Sequence, residues 1–376
     1  MRFEIKRSLL DTALQNVSKG LSTKTPMPIL MGVQLTAKNN ELIFITTNKE
    51  ISVRVVIKEN DDLKIDEEGS CVVPGKYFVD IVKKIDGEFV EFTLFDESTI
   101  KILSKNSDFT LIAYEKDNFP NTNFDIESES ITLSCKDLKQ IVRQTSFACS
   151  SSESRITLTS INFLIKDDLL TVTATDSFRL AKRIMKIENV KNKMQINIPS
   201  KSLEEFTKII NDSNDLVELV ISNNVALFKY KNISFLTRLV EGIYPDTSSL
   251  YPKSFMFSMK FNREMLIAAV DRASLFMESN PNLSFVKFNM TANNKIIEVS
   301  SNSSEIGRVV ETIEALEVSE NSDFQIAFSA KYLIEALKSF DTKEISIYCT
   351  GEVKPAIITS AELPELTQLL LPVRVF

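Results

Sequence analysis

Apolar residues recur at helical spacing near the start of the chain, and the same pattern returns twice further on. Leu10, Ala13, Leu14 and Val17 stand at i, i+3, i+4 and i+7, which is the apolar stripe of an amphipathic helix. Three stripes in one register predict an internal repeat. Steps of 128 residues lead from this stripe to the other two, which are Leu138, Ile141, Val142 and Thr145, and Leu266, Ala269, Val270 and Ala273.

A second helical pattern follows in each copy and starts near Lys76, Lys201 or Lys331. Counted from that lysine, bulky apolar residues stand mostly at +2, +5 and +9, an acid at +4 and a further lysine at +7. Between the helices, β-branched and apolar residues alternate with polar ones, which predicts short strands. Turns and small polar corners are predicted at Asn39-Asn40, Asp167-Asp168 and Asn293-Asn294, and at Thr47-Asn48, Thr175-Asp176 and Ser301-Asn302.

A repeat of this length has the size of a whole domain. We therefore predict three copies of one domain, at residues 1–126, 127–254 and 255–376. Each copy has two helices and about eight short strands, and the alternating strands predict antiparallel sheets with helices packed on one face, an α+β fold. Polar linkers are predicted around Phe119-Pro120-Asn121 and Tyr244-Pro245-Asp246, and a last strand at residues 369–376.

The composition is that of an ordinary globular protein. The chain has 376 residues, of which 43% are hydrophobic and 25% charged. No stretch is as apolar as a membrane-spanning helix of about 20 residues, and the N-terminus lacks the apolar core of a signal peptide. The cysteines have no metal-ligand spacing, so we expect reduced thiols in a cytoplasmic protein without metal or cofactor; they are Cys71, Cys135, Cys149 and Cys349.

The residue types that the chain lacks exclude several classes of function. The chain has no histidine, which excludes a Ser-His-Asp triad and any histidine-ligated metal. It has only eight glycines and no phosphate-binding loop or dinucleotide fingerprint. A binding or structural protein is therefore favoured over an enzyme. A three-domain hydrolase or transferase of nucleotides remains the alternative, with Asp61-Asp62 and Asp167-Asp168 as its only acidic pairs, although both pairs also fit polar turns.

Basic residues are spaced along the predicted helices. The lysine–acid–lysine spacing of the second helices fits a solvated face with weak ion pairs, but it also fits a surface that faces phosphates. The net charge of −7 argues against nucleic-acid binding over the whole surface, yet it allows one basic concave face. Such a face would hold a duplex by its backbone without reading the bases. Further candidates for it are Lys24, Lys139, Arg143, Arg263 and Arg272.

Six short motifs, in this order along the chain, resemble the bacterial DNA sliding clamps, the beta subunits of DNA polymerase III. Each motif is weak alone, but the ordered set spans the whole chain. They are Met27-Pro28-Ile29-Leu30, Val-Pro-x-Lys from Val73, Thr-Asp-x-x-Arg-Leu-Ala from Thr175, Tyr-Pro-Asp from Tyr244, Tyr251-Pro252, and Leu-Pro-Val-Arg from Leu371.

The resemblance implies a head-to-tail homodimer in which six domains close a ring. Helices would line the hole, sheets would form the outer wall, and double-stranded DNA would pass through without sequence preference. The expected function is that of a processivity factor, which tethers the replicative DNA polymerase, the clamp loader and other proteins with a clamp-binding motif. A scaffold that kept the ring but lost its work with the polymerase is a further alternative.

The resemblance also implies a pocket for partner peptides between the second and third domains. Two departures bear on peptide preference: Ser177-Phe178 stands where the family usually has Gly before an aromatic residue or His, and Ser249 where it often has a basic residue. By position, the pocket residues are Leu158, Thr175, Ser177, Phe178, Arg179, Leu180, Pro245, Leu250, Val353, Pro355, Leu369, Leu371, Val373 and Arg374.

Two more sets of residues follow. DNA-facing positions are Lys24 and Lys76 by resemblance, Lys201 and Lys331 by internal repetition, and Lys139 and Arg143 on the helix before them. The ring interface would place Phe109 and Leu111 of the first domain against Leu275 and Phe276 of the third.

Overall fold

The computed structural model describes residues 1–96, 98–187, 193–252, 254–276, 285–291, 294–303, 306–319 and 323–374. None of the helices in these ranges is long and apolar enough to cross a membrane. The predicted turn at Asn293 lies outside the described residues.

The helices confirm the repeat. The predicted apolar stripes lie on α1, α3 and α5, which begin at Arg7, Cys135 and Arg263, again 128 residues apart, and every stripe residue is at most 3% exposed. The second helical patterns form α2, α4 and α6. The bounds are α1 Arg7–Val17, α2 Gly75–Lys84, α3 Cys135–Thr145, α4 Ser200–Thr207, α5 Arg263–Ser274 and α6 Ala330–Lys338.

The strands confirm the α+β class, because each named pairing is antiparallel. The first copy holds β1 Arg2–Lys6, β2 Gly32–Lys38, β3 Glu41–Thr47, β4 Ile51–Lys58, β5 Leu63–Glu67, β6 Gly69–Pro74, β7 Phe89–Phe95, β8 Thr99–Ser104 and β9 Ser107–Ile112. The second holds β10 Ser130–Ser134, β11 Ser160–Lys166, β12 Leu169–Thr175, β13 Arg179–Lys186, β14 Met194–Pro199, β15 Leu216–Ile221, β16 Val225–Tyr230 and β17 Ile233–Arg238. The third holds β18 Phe257–Asn262, β19 Val286–Met290, β20 Ile296–Ser303, β21 Gly307–Glu314, β22 Glu317–Val318, β23 Phe324–Phe328, β24 Glu344–Cys349, β25 Ala356–Ser360 and β26 Leu363–Leu370.

The chain divides into two compact units, and their boundaries coincide with the sheets rather than with the three sequence copies. One unit comprises Met1–Leu138 and Lys201–Leu239, and the other comprises Lys139–Ser200 and Val240–Phe376. The second copy is therefore shared between the units. The reason lies in the strand pairing, since strands of neighbouring copies join in one continuous sheet within each unit.

The first unit contains two sheets. Its five-stranded sheet has the order β5-β1-β7-β8-β9, and its eight-stranded sheet has the order β10-β15-β16-β17-β4-β3-β2-β6. In the larger sheet, β17 of the second copy pairs with β4 of the first, and Phe235 lies opposite Val53. Phe206 of α4 packs on Phe228 and Phe235 at centroid distances of 4.6 and 5.2 Å, which anchors that helix to the sheet.

The linker after the first copy contains buried apolar residues, although its sequence predicts a polar segment. Phe119 is 9% exposed and packs with Ile29 and Val72, while Phe124 is 2% exposed and packs with Leu227. Both phenylalanines belong to a run without periodicity, so the sequence alone gave no sign that they are buried. They fix this segment to the first unit.

The second unit also contains two sheets. The nine-stranded sheet has the order β14-β11-β12-β13-β26-β25-β24-β18-β22, and the four-stranded sheet has the order β21-β20-β19-β23. Here β13 of the second copy pairs with β26 of the third. Helices α5 and α6 contribute Leu266, Val270, Leu333 and Leu337 to the core of the third copy, and all four side chains are fully buried.

Two of the three predicted hairpin turns lie wholly within the described residues, and both are present. Asn39 and Asn40 have φ of 52° and 61°, and Asp167 and Asp168 have φ of 52° and 58°. Asn and Asp tolerate this left-handed region, which two-residue hairpins require at both central positions. The pair Asp167-Asp168 is thus a turn between β11 and β12, which removes the main support for an acidic catalytic pair.

Candidate functional site

The pairing of β13 with β26 brings together residues far apart in the sequence. Leu180 lies opposite Leu369, and Arg179 lies opposite Leu370. Leu180 and Leu369 are 1% and 4% exposed, and Leu158, two residues before β11, is also 4% exposed. These expected pocket residues are therefore buried in the second unit, where Leu180 and Leu369 are direct neighbours.

A tight turn leads from β12 into β13. The Thr175 hydroxyl donates to the Arg179 carbonyl oxygen at 2.6 Å and accepts from the Ser177 N–H at 3.1 Å. The Asp176 Oδ1 accepts from the N–H groups of Phe178 at 2.9 Å and Arg179 at 3.0 Å. This Asx-turn satisfies the backbone donors of the bend and leaves the Phe178 ring 59% exposed.

Ser177 holds the turn in a backbone conformation that favours glycine. Its φ is 79°, in the left-handed region that glycine occupies without steric cost. Lys49, at the matching position of the first copy, has a φ of 75°. The Ser177 hydroxyl also accepts a hydrogen bond from Arg155 Nη1 at 2.9 Å, a contact that the sequence did not indicate.

Arg179 lies beneath the turn rather than at its surface, with 7% of the residue exposed. Its Nε donates to Asp176 at 3.0 Å, and its two terminal nitrogens donate to Glu335 and to the Phe147 carbonyl oxygen. The guanidinium carbon also lies 4.2 Å from the centroid of the Tyr332 ring. With its nitrogens engaged, Arg179 acts as a brace between the turn and α6.

The C-terminal segment forms a wall beside the turn. The final strand ends at Leu370, whereas the sequence pattern predicts a strand up to residue 376. Beyond it, the Leu371 N–H donates to the Phe178 carbonyl oxygen at 2.9 Å, and the Val373 N–H donates to the Ala327 carbonyl oxygen at 2.8 Å. The expected strand at residues 369–376 is thus confirmed only for Leu369 and Leu370, because the backbone of Leu371 and Val373 bonds to two different segments.

Three further contacts locate the remaining expected residues. Tyr244 Oη accepts from the Thr175 N–H at 3.0 Å, which puts Pro245 next to the turn, and burial raises the pKa of Tyr244. The Tyr251 ring lies 4.9 Å from the Lys182 ammonium, so Leu250 lies near β13. Ala356 pairs with Leu370, which places Pro355 at the C-terminal wall.

Together these residues give the surface around the turn a buried apolar floor and an exposed apolar rim, and we call this surface the groove. The exposed fractions at the rim are 59% for Phe178, 45% for Leu250, 61% for Val353 and 40% for Leu371. Pro245 and Arg374 are exposed, Pro355 and Val373 are half-buried, and Thr175 is buried. Such a surface can bind apolar side chains. Within the described ranges, no group of three acidic or cysteine residues is placed to hold a metal ion.

The junction between β4 and β17 repeats this backbone frame with different side chains. There the Arg238 N–H donates to the Glu50 carbonyl oxygen at 3.0 Å, as Leu371 does to Phe178. The positions of Phe178 and Leu371 are thus occupied by the charged Glu50 and Arg238. The fold provides the frame at both junctions, but only the one in the second unit carries these two apolar side chains.

The expected DNA-facing residues differ in their surroundings. Lys76, Lys201 and Lys331 are each the second residue of α2, α4 and α6, and all three are exposed. Lys24 is exposed in a loop, and Lys139 is half-buried.

Arg143 is tied to an acid. It donates from both terminal nitrogens to Asp341, and this pairing holds the pKa of Asp341 below its usual value. Its charge is therefore partly neutralised, which makes it a weaker candidate for a phosphate contact than the three helix lysines.

The expected interface residues lie on an edge strand of the first copy and just after the first helix of the third. Phe109 and Leu111 are half-buried on β9, an edge strand, and Leu275 follows α5 with 71% exposure, beside the half-buried Phe276. Sequence reasoning missed Ile112, which is 77% exposed on the same strand, and Val310, which is 45% exposed on β21.

Comparison with known proteins places this chain in one family. The N-terminal domain of the DNA polymerase III beta subunit matches residues 1–125, its central domain residues 132–246 and its C-terminal domain residues 248–374. The beta sliding clamps of Staphylococcus epidermidis and Staphylococcus aureus are 38% and 37% identical over the full length of both chains.

Solved structures agree with this result. The DNA polymerase sliding clamp from Bacillus subtilis superposes with a TM-score of 0.96 at 36% identity, and the beta chain from Streptococcus pneumoniae with 0.95 at 31%, each over all of both chains. The chain is a three-domain clamp protein by fold. It belongs to the DNA polymerase III beta subunit family, the bacterial sliding clamps.

Proposed function

We propose that this chain is a processivity factor of DNA replication, which encircles duplex DNA as a homodimeric ring and tethers the replicative polymerase. The strand pairing carries the proposal. The fourth strand of copy one, β4, pairs with the last strand of copy two, β17. The matching strand of copy two, β13, pairs in turn with the last strand of copy three, β26.

In this series of pairings between copies, β21 and β9 have no partner strand from another copy. β21 is the strand of copy three that matches β4 and β13, and β9 is the last strand of copy one. Each is the edge of its sheet. Exposed edge strands that carry apolar residues invite pairing with another chain. The next step of the series pairs β21 of one protomer with β9 of its partner, and two such pairings close a dimer.

The junction between β17 and β4 predicts a register for that pairing. The third residue of β17, Phe235, lies opposite the third residue of β4, Val53. The third residues of β9 and β21 are Phe109 and Val309. We therefore expect Phe109 of one protomer to lie opposite Val309 of its partner, with Leu275 and Phe276 packed alongside.

DNA would be held weakly and without regard to sequence. Lys76, Lys201 and Lys331 recur at the same point of three helices and form no ion pair with any described residue. Lysine contacts to phosphates are sensitive to salt and carry no base readout. Retention would then come from the closed ring rather than from affinity, which reconciles DNA association with a net charge of −7. The role is tethering, and no catalysis is proposed.

The groove of the second unit would take partner peptides from the polymerase, the clamp loader and other proteins with a clamp-binding motif. Two Leu or Phe anchors buried on its apolar floor and rim contribute roughly 3–6 kcal/mol before the costs of association. After those costs, a lone peptide is expected to bind with roughly micromolar affinity. Several partners can then exchange on one ring.

The test is retention on circular DNA. The protein, labelled at an exposed site, is loaded by a clamp loader onto a nicked plasmid and separated from free protein by gel filtration. It should stay on the circle and leave when a restriction enzyme linearises the plasmid. Equal retention on circular and linear DNA would contradict a ring that encloses the duplex.

A further inference from the structure

Two isoleucines outside the expected pocket set are strongly exposed near the groove. Ile243 is 94% exposed, the highest value for a large apolar side chain among the described residues, and Ile156 is 59% exposed. Single exposed apolar side chains are common on protein surfaces. The exposure of Ile243 and Ile156 therefore indicates a binding site only if the two side chains belong to one surface.

The local packing holds their two segments together. Gly242 has a φ of 116°, and a Cβ atom added to it would lie 2.8 Å from Thr157 Cγ2. Asn197 Nδ2 also donates to the Gly242 carbonyl oxygen at 2.9 Å, which fixes the linker at this point. Ile243 and Ile156 are each one residue from the contact between Gly242 and Thr157. We call these two isoleucines the shelf.

The shelf is next to the groove along both of its chain segments. Pro245, at the groove, comes two residues after Ile243, and Leu158, at its floor, comes two residues after Ile156. Tyr244, between Ile243 and Pro245, is the residue whose hydroxyl oxygen accepts from Thr175. A peptide that leaves the groove on this side therefore meets the shelf next.

Acidic side chains flank the shelf. Glu153, Glu241 and Asp246 are exposed and lie within three residues of Ile156 or Ile243. The Ser248 N–H donates to Asp246 at 2.9 Å, which lowers the pKa of this carboxyl group and keeps it ionised. The nearest basic residue in sequence, Arg155, donates to the Ser177 hydroxyl and keeps its charge, but the three carboxylates outnumber it. A basic ligand is therefore favoured beside the apolar one.

We propose that the shelf is an additional subsite for partner peptides, which takes one bulky apolar side chain with a neighbouring Lys or Arg, just outside the anchors held by the groove. This proposal rests on the proposed peptide-binding function of the groove. It would make the sequence flanking the anchors a determinant of partner choice for this chain.

Calorimetry with three synthetic peptides tests it. The core peptide is acetyl-Ser-Leu-Ser-Leu-Phe-amide, and the other two add Arg-Ile at its start or Ile-Arg at its end. One extended peptide should bind about five- to tenfold tighter than the core, because an exposed isoleucine pair becomes buried. Ile243→Ser should abolish that gain and leave the core affinity unchanged. Ile296→Ser, at an isoleucine that is 49% exposed on β20, is the matched control.

The outcomes separate the two proposals. If both extensions bind within twofold of the core, or if the gain persists in Ile243→Ser, the shelf is not a subsite while the groove still stands. If the core peptide does not bind at all, the groove is not a peptide-binding site, and the shelf proposal is then also wrong because it depends on that function. Replacing the added Arg by Glu should reduce the gain, and an equal gain would contradict the role of the acidic flank.

Discussion

At the scale of residues, the turn from Thr175 to Arg179 decides how the groove is built. Polar atoms of Thr175 and Asp176 satisfy the backbone of the turn, and Arg179 braces it from below. This leaves Phe178 free to present its ring. The cost falls on Ser177, which takes a left-handed conformation that is unfavourable for a residue with a Cβ atom by roughly 1–2 kcal/mol.

Relief of this strain can be measured. Ser177→Gly should raise the thermal midpoint slightly, by up to about 2 °C, because the steric cost exceeds the entropy that glycine adds to the unfolded chain. Ser177→Val should lower it, since a β-branched side chain tolerates this φ least. Lys49→Gly, at a φ of 75° in the first copy, is the matched control and should also raise the midpoint. A lower midpoint in both glycine variants would show that these turns are not strained.

At the scale of elements, helices and strands have separate roles. The second helix of each copy presents an exposed lysine at its second residue. The strands join the copies edge to edge and leave β9 and β21 unpaired within the series. Each role leads to its own experiment.

The lysines are tested together. Lys76→Glu, Lys201→Glu and Lys331→Glu in one chain should weaken retention on circular DNA and make it more sensitive to salt, because three phosphate contacts per protomer become repulsive. The fold should survive, since all three side chains are exposed. The control carries Lys58→Glu, Lys186→Glu and Lys343→Glu, which are exposed lysines outside the helices. If the two variants supported processive synthesis equally well, the helix lysines would be solvent-exposed residues without a role in DNA binding.

The register of the expected interface is tested by cross-linking. Phe109→Cys with Val309→Cys should give a covalent dimer on mild oxidation, seen on a non-reducing gel. Thr110→Cys with Val309→Cys should not, because a slip of one residue turns the side chain to the other face. Burial raises the pKa of the Cys71 and Cys349 thiols to about 12, so these native cysteines stay unreactive, and the unmodified chain is the background control. Cross-linking in both pairs, or in neither, would rule out the expected register.

At the scale of the whole molecule, the groove and the dimer should be independent. The groove lies in the second unit, between β13, β26 and the C-terminal segment, whereas the expected dimer contacts lie at β9 and β21. One function should therefore be removable without the other.

Leu180→Ala combined with removal of residues 372–376 should abolish binding of a polymerase C-terminal peptide, because it takes away part of the floor and one wall. The same variant should sediment as a dimer at micromolar concentration. Leu275→Ala with Phe276→Ala should have the opposite profile, with a shift toward monomer and unchanged peptide affinity. If the first variant bound the peptide normally while folded and dimeric, the partner site would lie elsewhere.

The sequence by itself determined the repeat, the helices and the hairpin turns. The apolar stripes at Leu10, Leu138 and Leu266 are periodic, so they predict which helix face is buried without any knowledge of its partner. Asn39-Asn40 and Asp167-Asp168 act through their own backbone preferences. The exposure of Lys76, Lys201 and Lys331 also follows from helical spacing. All of these depend on residues close together in the chain.

Only the tertiary structure decided which strands meet. The pairing of Leu180 with Leu369 joins segments of similar apolar pattern that have many other possible partners, so no local signal selects it. The same holds for the burial of Phe119 and Phe124, for the contact of Arg155 with Ser177, and for the end of the last strand at Leu370. The resemblance supplied the members of the groove, but their burial and hydrogen bonds depend on contacts between distant segments, which local periodicity does not encode.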